Sequence, residues 1–241
     1  MKCLTLLDKK EAGKIREKID ELNNYWVLRD QHSLYTLGAS AYLDSPTKET
    51  VEKFSLLETP SNQYKNRIAD NNHILWNNFE ELYLRIQIKL SEELARQVVY
   101  ASGKALPGFH IFNAHDYYSD VNSHVPHFDR QYEQLDWGTD VEVGTAETLS
   151  FTLPIELPKT GAGLYLWQVY LGEVLGMNKT SALAHIKKAQ VNHHSYTLGE
   201  MLCHSGHQLH RIAPWRSIQG DQRITMQGHG ILLDNIWHIY W

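Results

Sequence analysis

The sequence has few of the features that mark secreted, membrane or nucleic-acid-binding proteins. Its only cysteines, Cys3 and Cys203, exclude a disulfide framework and a zinc site built from cysteines. No window reaches the roughly 18 uncharged apolar residues of a membrane-spanning helix, and the first apolar run is too short for a signal peptide. The 23 basic and 28 acidic residues give a net charge of −5, which disfavours nucleic acid and anionic membranes as partners. We therefore expect a cytoplasmic protein.

Histidine, in contrast, is abundant in the second half of the chain. There are 14 histidines, and all except His32 and His73 lie at or after His110. Most of them are expected to be surface or packing residues. A few of the late ones are candidates for metal ligands, because neutral imidazole is the commonest metal-binding side chain.

The first hundred residues show the apolar spacing of helices. Asp8 can cap a first helix, and the longest periodic segment runs from about 69 to 99. Between them, the apolar positions of 51–57 form a shorter stretch that prolines interrupt. The wide apolar stripe of the long segment indicates packing against a flat hydrophobic surface. Residues 1–100 are therefore predicted to give mainly helical support.

After Pro107-Gly108 the pattern changes to short segments with a period of two. Residues 151–157 and 223–226 alternate as strands do, and turn signals separate the segments. The stretch 171–190 is ambiguous and is interpreted as a helical insertion. Helices followed by many short strands predict an α+β fold, with a jelly-roll core over 101–241. The length predicts that 1–241 is a single domain.

One tripeptide, His127-Phe128-Asp129, could supply two metal ligands. It is the only His-x-Asp or His-x-Glu in the chain, and residues two apart on a strand project from the same face. A histidine from a distant strand would complete a two-histidine, one-carboxylate triad, which leaves adjacent positions open on iron(II). On its own, His127 would more often be a structural residue.

The distant histidine and a carboxylate-binding pair follow late in the chain. His204, His207 and His210 are close together, and Arg223 and Thr225 come next in an alternating segment. A guanidinium presents a planar fork to a carboxylate, and a hydroxyl two residues on lies on the same strand face. That combination suits a co-substrate with a free acid group. His207 and His210 both remain candidates for the third ligand.

The order of these motifs resembles the iron(II)/2-oxoglutarate-dependent oxygenases, most closely their prolyl-hydroxylase-like branch. The resemblance covers about 109–226 and lies in the order and spacing of the motifs. It implies a double-stranded β-helix, which is a cupin-like jelly roll, with the metal at its mouth. Its iron(II) ligands would be His127, Asp129 and His210. The resemblance favours His210 over His207 because Arg-Ile follows His210 as in the family pattern and because its spacing to Arg223 fits better. The residues that bind 2-oxoglutarate would be Arg223, Thr225 and Tyr118.

The activity that the resemblance implies is that of a dioxygenase using Fe(II), 2-oxoglutarate and O2. Such an enzyme hydroxylates an unactivated C–H of a small molecule, an amino acid or a peptide side chain, and releases succinate and CO2. The carboxylate at Asp129 favours hydroxylation over halogenation. His229, one strand-length after Arg223, is a candidate either for the wall of the substrate pocket or for packing.

Two other classes of protein remain as alternatives. A non-catalytic cupin-like protein that binds a metal or ligand would keep the jelly roll, but it would not need Arg223 and Thr225 in register. A zinc hydrolase is disfavoured because the chain has no His-x-x-x-His helix motif with an adjacent glutamate.

Overall fold

Helices occupy much of the first hundred residues and return between two later strands. The computed structural model describes residues 1–30, 33–44, 63–120, 124–138, 145–216 and 218–241. The apolar stretch 51–57 lies outside the described residues. The α-helices in the described part are α1 (Lys9–Glu21), α2 (Ala41–Asp44), α3 (Gln63–Leu94), α4 (Leu171–Val174) and α5 (Lys179–Lys188).

Strands are distributed over the whole described chain. In order, they are β1 (Lys2–Thr5), β2 (Val27–Leu28), β3 (Leu34–Leu37), β4 (Val98–Tyr100), β5 (Gly108–Asn113), β6 (Thr148–Glu156), β7 (Gly163–Tyr170), β8 (Val191–Ser195), β9 (Glu200–His204), β10 (Gln208–Ile212), β11 (Gln222–Leu233) and β12 (Ile236–Tyr240). Short 3-10 helices cover Asn23–Tyr25, Asp116–Ser119 and Gln131–Gln134.

These strands form one large and one small sheet. The large sheet has the order β1-β9-β6-β11-β5-β3-β2, with β12 paired to β11 and β4 paired to β12. The small sheet has the order β10-β7-β8. All pairs are antiparallel except β12 with β4. The predicted mixture of helices and antiparallel sheet is confirmed, and buried side chains of β7 pack with Leu202 of β9 between the two sheets.

The first helix begins where the sequence predicts. Asp8 accepts a hydrogen bond from the backbone N–H of Glu11, and the Glu11 carboxylate accepts one from the N–H of Asp8. This reciprocal capping box satisfies two amides that a helix start leaves unpaired. The helix then buries Ala12 and Ile19 in the main core.

The long helix α3 covers one face of the large sheet. Its apolar stripe enters the core, where the Phe79 ring lies 4.9 Å from that of Phe109 on β5. The predicted segment 69–99 runs too far, because the helix ends at Leu94 and Ala95 adopts a positive φ. Residues 98–100 form β4 instead, since β-branched and aromatic side chains favour the strand that pairs with β12.

Four strands lie in the region interpreted as helical support. β1, β2, β3 and β4 were not predicted, and all of them extend the large sheet. The ambiguous stretch 171–190 contains α4 and α5, in agreement with the predicted helical insertion. None of the described helices is long and apolar enough to cross a membrane. The division of 1–241 into support and core within one domain stays a prediction.

Candidate metal centre and the cavity around it

Three side chains of the predicted triad converge at the edge of the small sheet. His127 forms an isolated antiparallel bridge with His210 of β10: each backbone N–H donates to the other residue's carbonyl, at 2.9 and 3.0 Å. The Asp129 carboxylate lies beside both rings, with its oxygens 3.8 Å from His127 Nε2 and 3.3 Å from His210 Nε2. Within the part of the chain that the structure describes, this is the one group of possible metal ligands whose donor atoms all lie within 4.8 Å of one another.

Backbone carbonyls fix the orientation of both imidazoles. The Nδ1 of His127 lies 2.9 Å from the carbonyl of Val125, and the Nδ1 of His210 lies 2.8 Å from that of Gln208. A carbonyl can only accept, so each Nδ1 carries the hydrogen and each Nε2 keeps a free lone pair on the side of Asp129. This is the arrangement by which outer hydrogen bonds orient histidine ligands.

The Asp129 carboxylate is held at both oxygens. Ser150 Oγ donates to Oδ2 at 2.6 Å, and Gln131 Nε2 donates to Oδ1 at 3.1 Å. Its backbone N–H donates to the carbonyl of Gly206 at 2.8 Å. Sequence reasoning missed both residues: Ser150 reaches the carboxylate from the distant strand β6, and Gln131 lies only two residues after Asp129 but belongs to no recognised motif.

Charge and burial favour the metal-binding forms of Asp129 and His210. Burial alone would raise the pKa of Asp129, but the surrounding imidazoles, with His210 the strongest, lower it well below its usual range. Burial lowers the pKa of His210 and of His229, and Asp129 only partly opposes this. Ionised carboxylate and neutral imidazole are the ligating states. Two nitrogens and one oxygen donor therefore fit iron(II) with open coordination positions.

His207, the alternative third ligand, is occupied elsewhere. Its Nε2 is hydrogen-bonded to the Tyr132 hydroxyl at 2.9 Å, and the ring is buried in that contact. The structure thus brings His210, rather than His207, to His127 and Asp129.

Arg223 and Thr225 lie side by side on β11, and both are fully buried. The Arg223 guanidinium carbon is 4.8 Å from the ring centre of Phe112, 5.3 Å from that of Trp215 and 5.4 Å from that of Tyr196. Burial lowers the pKa of Arg223, and the Tyr196 hydroxyl partly opposes the effect.

Neither residue of this pair is satisfied by the protein. The three Arg223 nitrogens and the Thr225 hydroxyl make no well-formed hydrogen bond with the described residues. Since buried polar groups in proteins are normally paired, the pair fits an anionic ligand such as the free carboxylate of an acid co-substrate.

Tyr118 belongs to the same aromatic cluster. It is buried, its ring stacks on Trp215 at 4.7 Å, and it meets Phe112 edge to face at 5.3 Å. Phe112 and Trp215 also contact the Arg223 guanidinium. The structure therefore groups all three residues predicted to bind the co-substrate.

A cavity of about 420 Å³ opens beside the triad. His229 lines it, with Nδ1 3.2 Å from Ser150 Oγ and 3.6 Å from Asp129 Oδ2. Tyr42 and His110 lie on the same wall and are hydrogen-bonded to each other. His229 therefore lies in the wall of this cavity, and a role toward substrate stays a prediction. Tyr42 and His110 had no motif that could have indicated them.

No family model and no curated protein matches the chain by sequence, whereas solved structures do match. An N-substituted L-amino acid dioxygenase from Burkholderia ambifaria AMMD, in complex with alpha-ketoglutarate (2-oxoglutarate), superposes with a TM-score of 0.58 and 14% identity, over 99% of this chain and 85% of that one. The chain has the fold of a 2-oxoglutarate-dependent dioxygenase. A second structure of the Burkholderia enzyme gives a TM-score of 0.58 and 16% identity, with the same coverage. A Pseudomonas putida prolyl-4-hydroxylase is more distant, with a TM-score of 0.42 and 10% identity over 100% of this chain and 92% of that one.

Proposed function

We propose that the protein is an iron(II)- and 2-oxoglutarate-dependent dioxygenase that hydroxylates an unactivated C–H of a small molecule, an amino acid or a peptide side chain. The observation that carries this proposal is that one chain holds both a two-histidine, one-carboxylate group and a buried guanidinium whose nitrogens make no well-formed hydrogen bond with the described residues. A protein that only held a metal would have no use for the buried guanidinium. The two sheets are proposed to form a double-stranded β-helix within a single domain over 1–241.

Each site residue has a role in this proposal. His127 and His210 would hold iron(II) through Nε2, and Asp129 would hold it through its carboxylate. When bound, the metal supplies the activation of O2 that breaks 2-oxoglutarate down to succinate and CO2 and oxidises the C–H. Arg223 would pair with the distal carboxylate of 2-oxoglutarate, and the Thr225 hydroxyl would donate to it.

The remaining site residues position these groups. Tyr118 would help to bind 2-oxoglutarate, since it lies against Trp215, which contacts the Arg223 guanidinium. Ser150 and Gln131 orient the carboxylate of Asp129, so that it presents a fixed face to the metal.

The substrate is proposed to be small. A cavity of about 420 Å³ has to take 2-oxoglutarate together with the group to be oxidised, which favours a small metabolite or a single side chain over a large molecule. The fold neighbour from Burkholderia ambifaria acts on N-substituted L-amino acids. That similarity supports an amino-acid-like substrate as the first class to screen.

Formation of succinate tests the proposal. Protein supplied with iron(II), 2-oxoglutarate and air should convert 2-oxoglutarate to succinate, and a substrate in the screen should accelerate it. Asp129→Ala and His210→Ala should fall to the background of free iron(II), since each removes a ligand, whereas His193→Ala, outside the cavity lining on β8, should match the wild type. Metal binding without succinate in the whole screen would instead indicate the non-catalytic cupin-like binder.

A further inference from the structure

The carboxylate of Asp129 dictates which way its neighbours donate hydrogen bonds. An ionised carboxylate can only accept. The Gln131 side chain lies 3.1 Å from Asp129 Oδ1, so it must present its NH2 there, and its carbonyl oxygen Oε1 points the other way. The amide orientation of Gln131 is therefore fixed by chemistry.

The contacts of Ser150 fix which ring nitrogen of His229 carries the hydrogen. The 2.6 Å contact between Ser150 Oγ and Asp129 Oδ2 requires a hydrogen, and the single hydroxyl hydrogen of Ser150 supplies it. Ser150 Oγ is then an acceptor for its other neighbour, His229 Nδ1 at 3.2 Å. Nδ1 must carry the hydrogen, so the Nε2 of the neutral ring is a bare acceptor.

These hydrogen bonds leave two acceptor atoms without a donor in the described part of the chain. Gln131 Oε1 and His229 Nε2 are both buried, and neither has a hydrogen-bond partner among the residues that the structure describes. Both side chains line the cavity beside the candidate iron site. Buried acceptors of this kind are satisfied by a ligand or by ordered water.

We propose that the cavity recognises a substrate head group that carries at least two N–H or O–H hydrogens, and that Gln131 Oε1 and His229 Nε2 accept them. The inference rests on the proposed function, because it places the substrate beside the metal. Phe128, Phe151 and Leu164 also line the cavity and suit the carbon part of such a molecule. The site thus selects an amine, an amide or a hydroxylated compound over its fully alkylated analogue.

Matched pairs of small probes test this selectivity. Pyrrolidinium and N,N-dimethylpyrrolidinium share charge and ring, but only the first has N–H hydrogens; acetamide and N,N-dimethylacetamide form the neutral pair. Each probe is titrated into the full-length protein loaded with cobalt(II) and saturated with 2-oxoglutarate, and cobalt-induced relaxation of its protons reports binding near the metal. In at least one pair, the donor-bearing member should bind about tenfold tighter or more, which is the effect of one ordinary hydrogen bond.

Variants assign the selectivity to the proposed atoms. His229→Asn keeps an amide donor toward Ser150 but removes Nε2, so it should lower the preference for the donor-bearing probe about tenfold. Its dissociation constants for cobalt(II) and 2-oxoglutarate should stay within about twofold of the wild type, which a collapsed site would not allow. His193→Asn, the matched change outside the cavity lining, should leave the preference intact.

The outcomes are separable from those of the proposed function. Equal affinity within both pairs would mean that water satisfies the acceptors, and it would overturn the inference. Failure of every donor probe to bind, or an unchanged preference in His229→Asn, would overturn it as well. If the wild-type protein fails to bind cobalt(II) or 2-oxoglutarate, the proposed function itself is wrong.

Discussion

Asp129 organises the candidate site because it is the one acidic group that the surrounding imidazoles share. His127, His210 and His229 all lie within 4 Å of its oxygens, and Ser150 donates to it. Such a carboxylate stays ionised despite its burial. The sequence indicated Asp129 through its spacing from His127, but it did not indicate Ser150, which comes from another segment.

The two rival third ligands give opposite expectations for metal binding. His210→Ala removes an Nε2 that lies 3.3 Å from Asp129, so iron(II) or cobalt(II) affinity should fall by at least about tenfold, as for loss of a contact worth about 1.4 kcal/mol. His207→Ala removes a hydrogen bond to Tyr132 and should leave metal affinity nearly unchanged. Calorimetric metal titration of both variants decides which histidine is the third ligand. Loss of metal affinity in His207→Ala but not in His210→Ala would make His207 the ligand.

His110 should make stability depend on pH. Burial, reinforced by the charge of Arg223, lowers its pKa from 6.5 to about 3. Below pH 6.5, His110 binds a proton in the unfolded chain but not in the folded protein. The free energy of unfolding therefore falls as the pH drops from 6.5 towards 3. At pH 5 this loss is about 2 kcal/mol, from 1.36 kcal/mol per pKa unit.

Substitution of His110 isolates that contribution. Whatever the stability of His110→Asn at pH 7, its loss of unfolding free energy between pH 7 and pH 5 should be about 2 kcal/mol smaller than in the wild type. Urea unfolding at the two pH values measures the difference. Some pH dependence should persist in the variant, since burial also lowers the pKa of His204 to about 3. Equal losses in both proteins would show that His110 titrates normally.

The strand β11 carries candidate site residues on one face and core residues on the other. Arg223, Thr225 and His229 share one face of the strand, and the last of these lines the cavity. Ile224 and Met226 face the other way, into the core with α3. The period of two in this segment made the pairing of Arg223 with Thr225 predictable from the sequence.

The strand over 151–157 was predicted, but its burial and four short strands could not be, because their surroundings decide them. β6 alternates in sequence like a half-buried strand, yet nearly all of it is buried. Both of its edges are paired, to β9 and β11. One face packs into the core through Leu153 and Ile155, and the other carries Ser150 and Thr152 in the cavity lining. The strands β1 to β4 have two to four residues each, too few for a periodic signal, and only their pairing in the large sheet defines them.

The cap of α1 gives a test at the level of one element. Asp8→Ala removes the acceptor for the Glu11 N–H and should lower the free energy of unfolding by about 1 kcal/mol. For a protein of this size, the melting temperature should fall by roughly 2–4 °C. Asp20→Ala, which breaks an exposed pair with Arg16 on the same helix, is the control and should cost less than about 0.5 kcal/mol. Thermal unfolding with equal shifts for both variants would argue against the cap.

At the scale of the whole molecule, the candidate site draws its residues from distant parts of the chain. The candidate metal ligands combine the segment of His127 and Asp129 with β10, and the pair predicted to bind a carboxylate lies on β11. The order of the motifs in the sequence indicated both sets of residues, and their roles stay predictions. The choice of His210 as the partner of His127 depends on backbone pairing between the two residues, which no local pattern contains.

The binding of 2-oxoglutarate to the metal-loaded protein is the measurement that tests this account most directly. Charge-assisted contacts of Arg223 are worth roughly 1.5–3 kcal/mol, and each 1.4 kcal/mol is about tenfold in affinity. Arg223→Ala should therefore weaken 2-oxoglutarate by one to a few orders of magnitude in calorimetry. Arg223→Lys should recover only part, because an ammonium lacks the planar fork, and Thr225→Ala should cost on the order of 1 kcal/mol.

The affinity for the metal is the control in this series. Arg223 lies outside the group of candidate metal ligands, so its loss should not change metal binding. We expect tight, Arg223-dependent binding of 2-oxoglutarate, and a metal affinity that is the same in the wild type and in Arg223→Ala. An unchanged dissociation constant for 2-oxoglutarate in Arg223→Ala would contradict it.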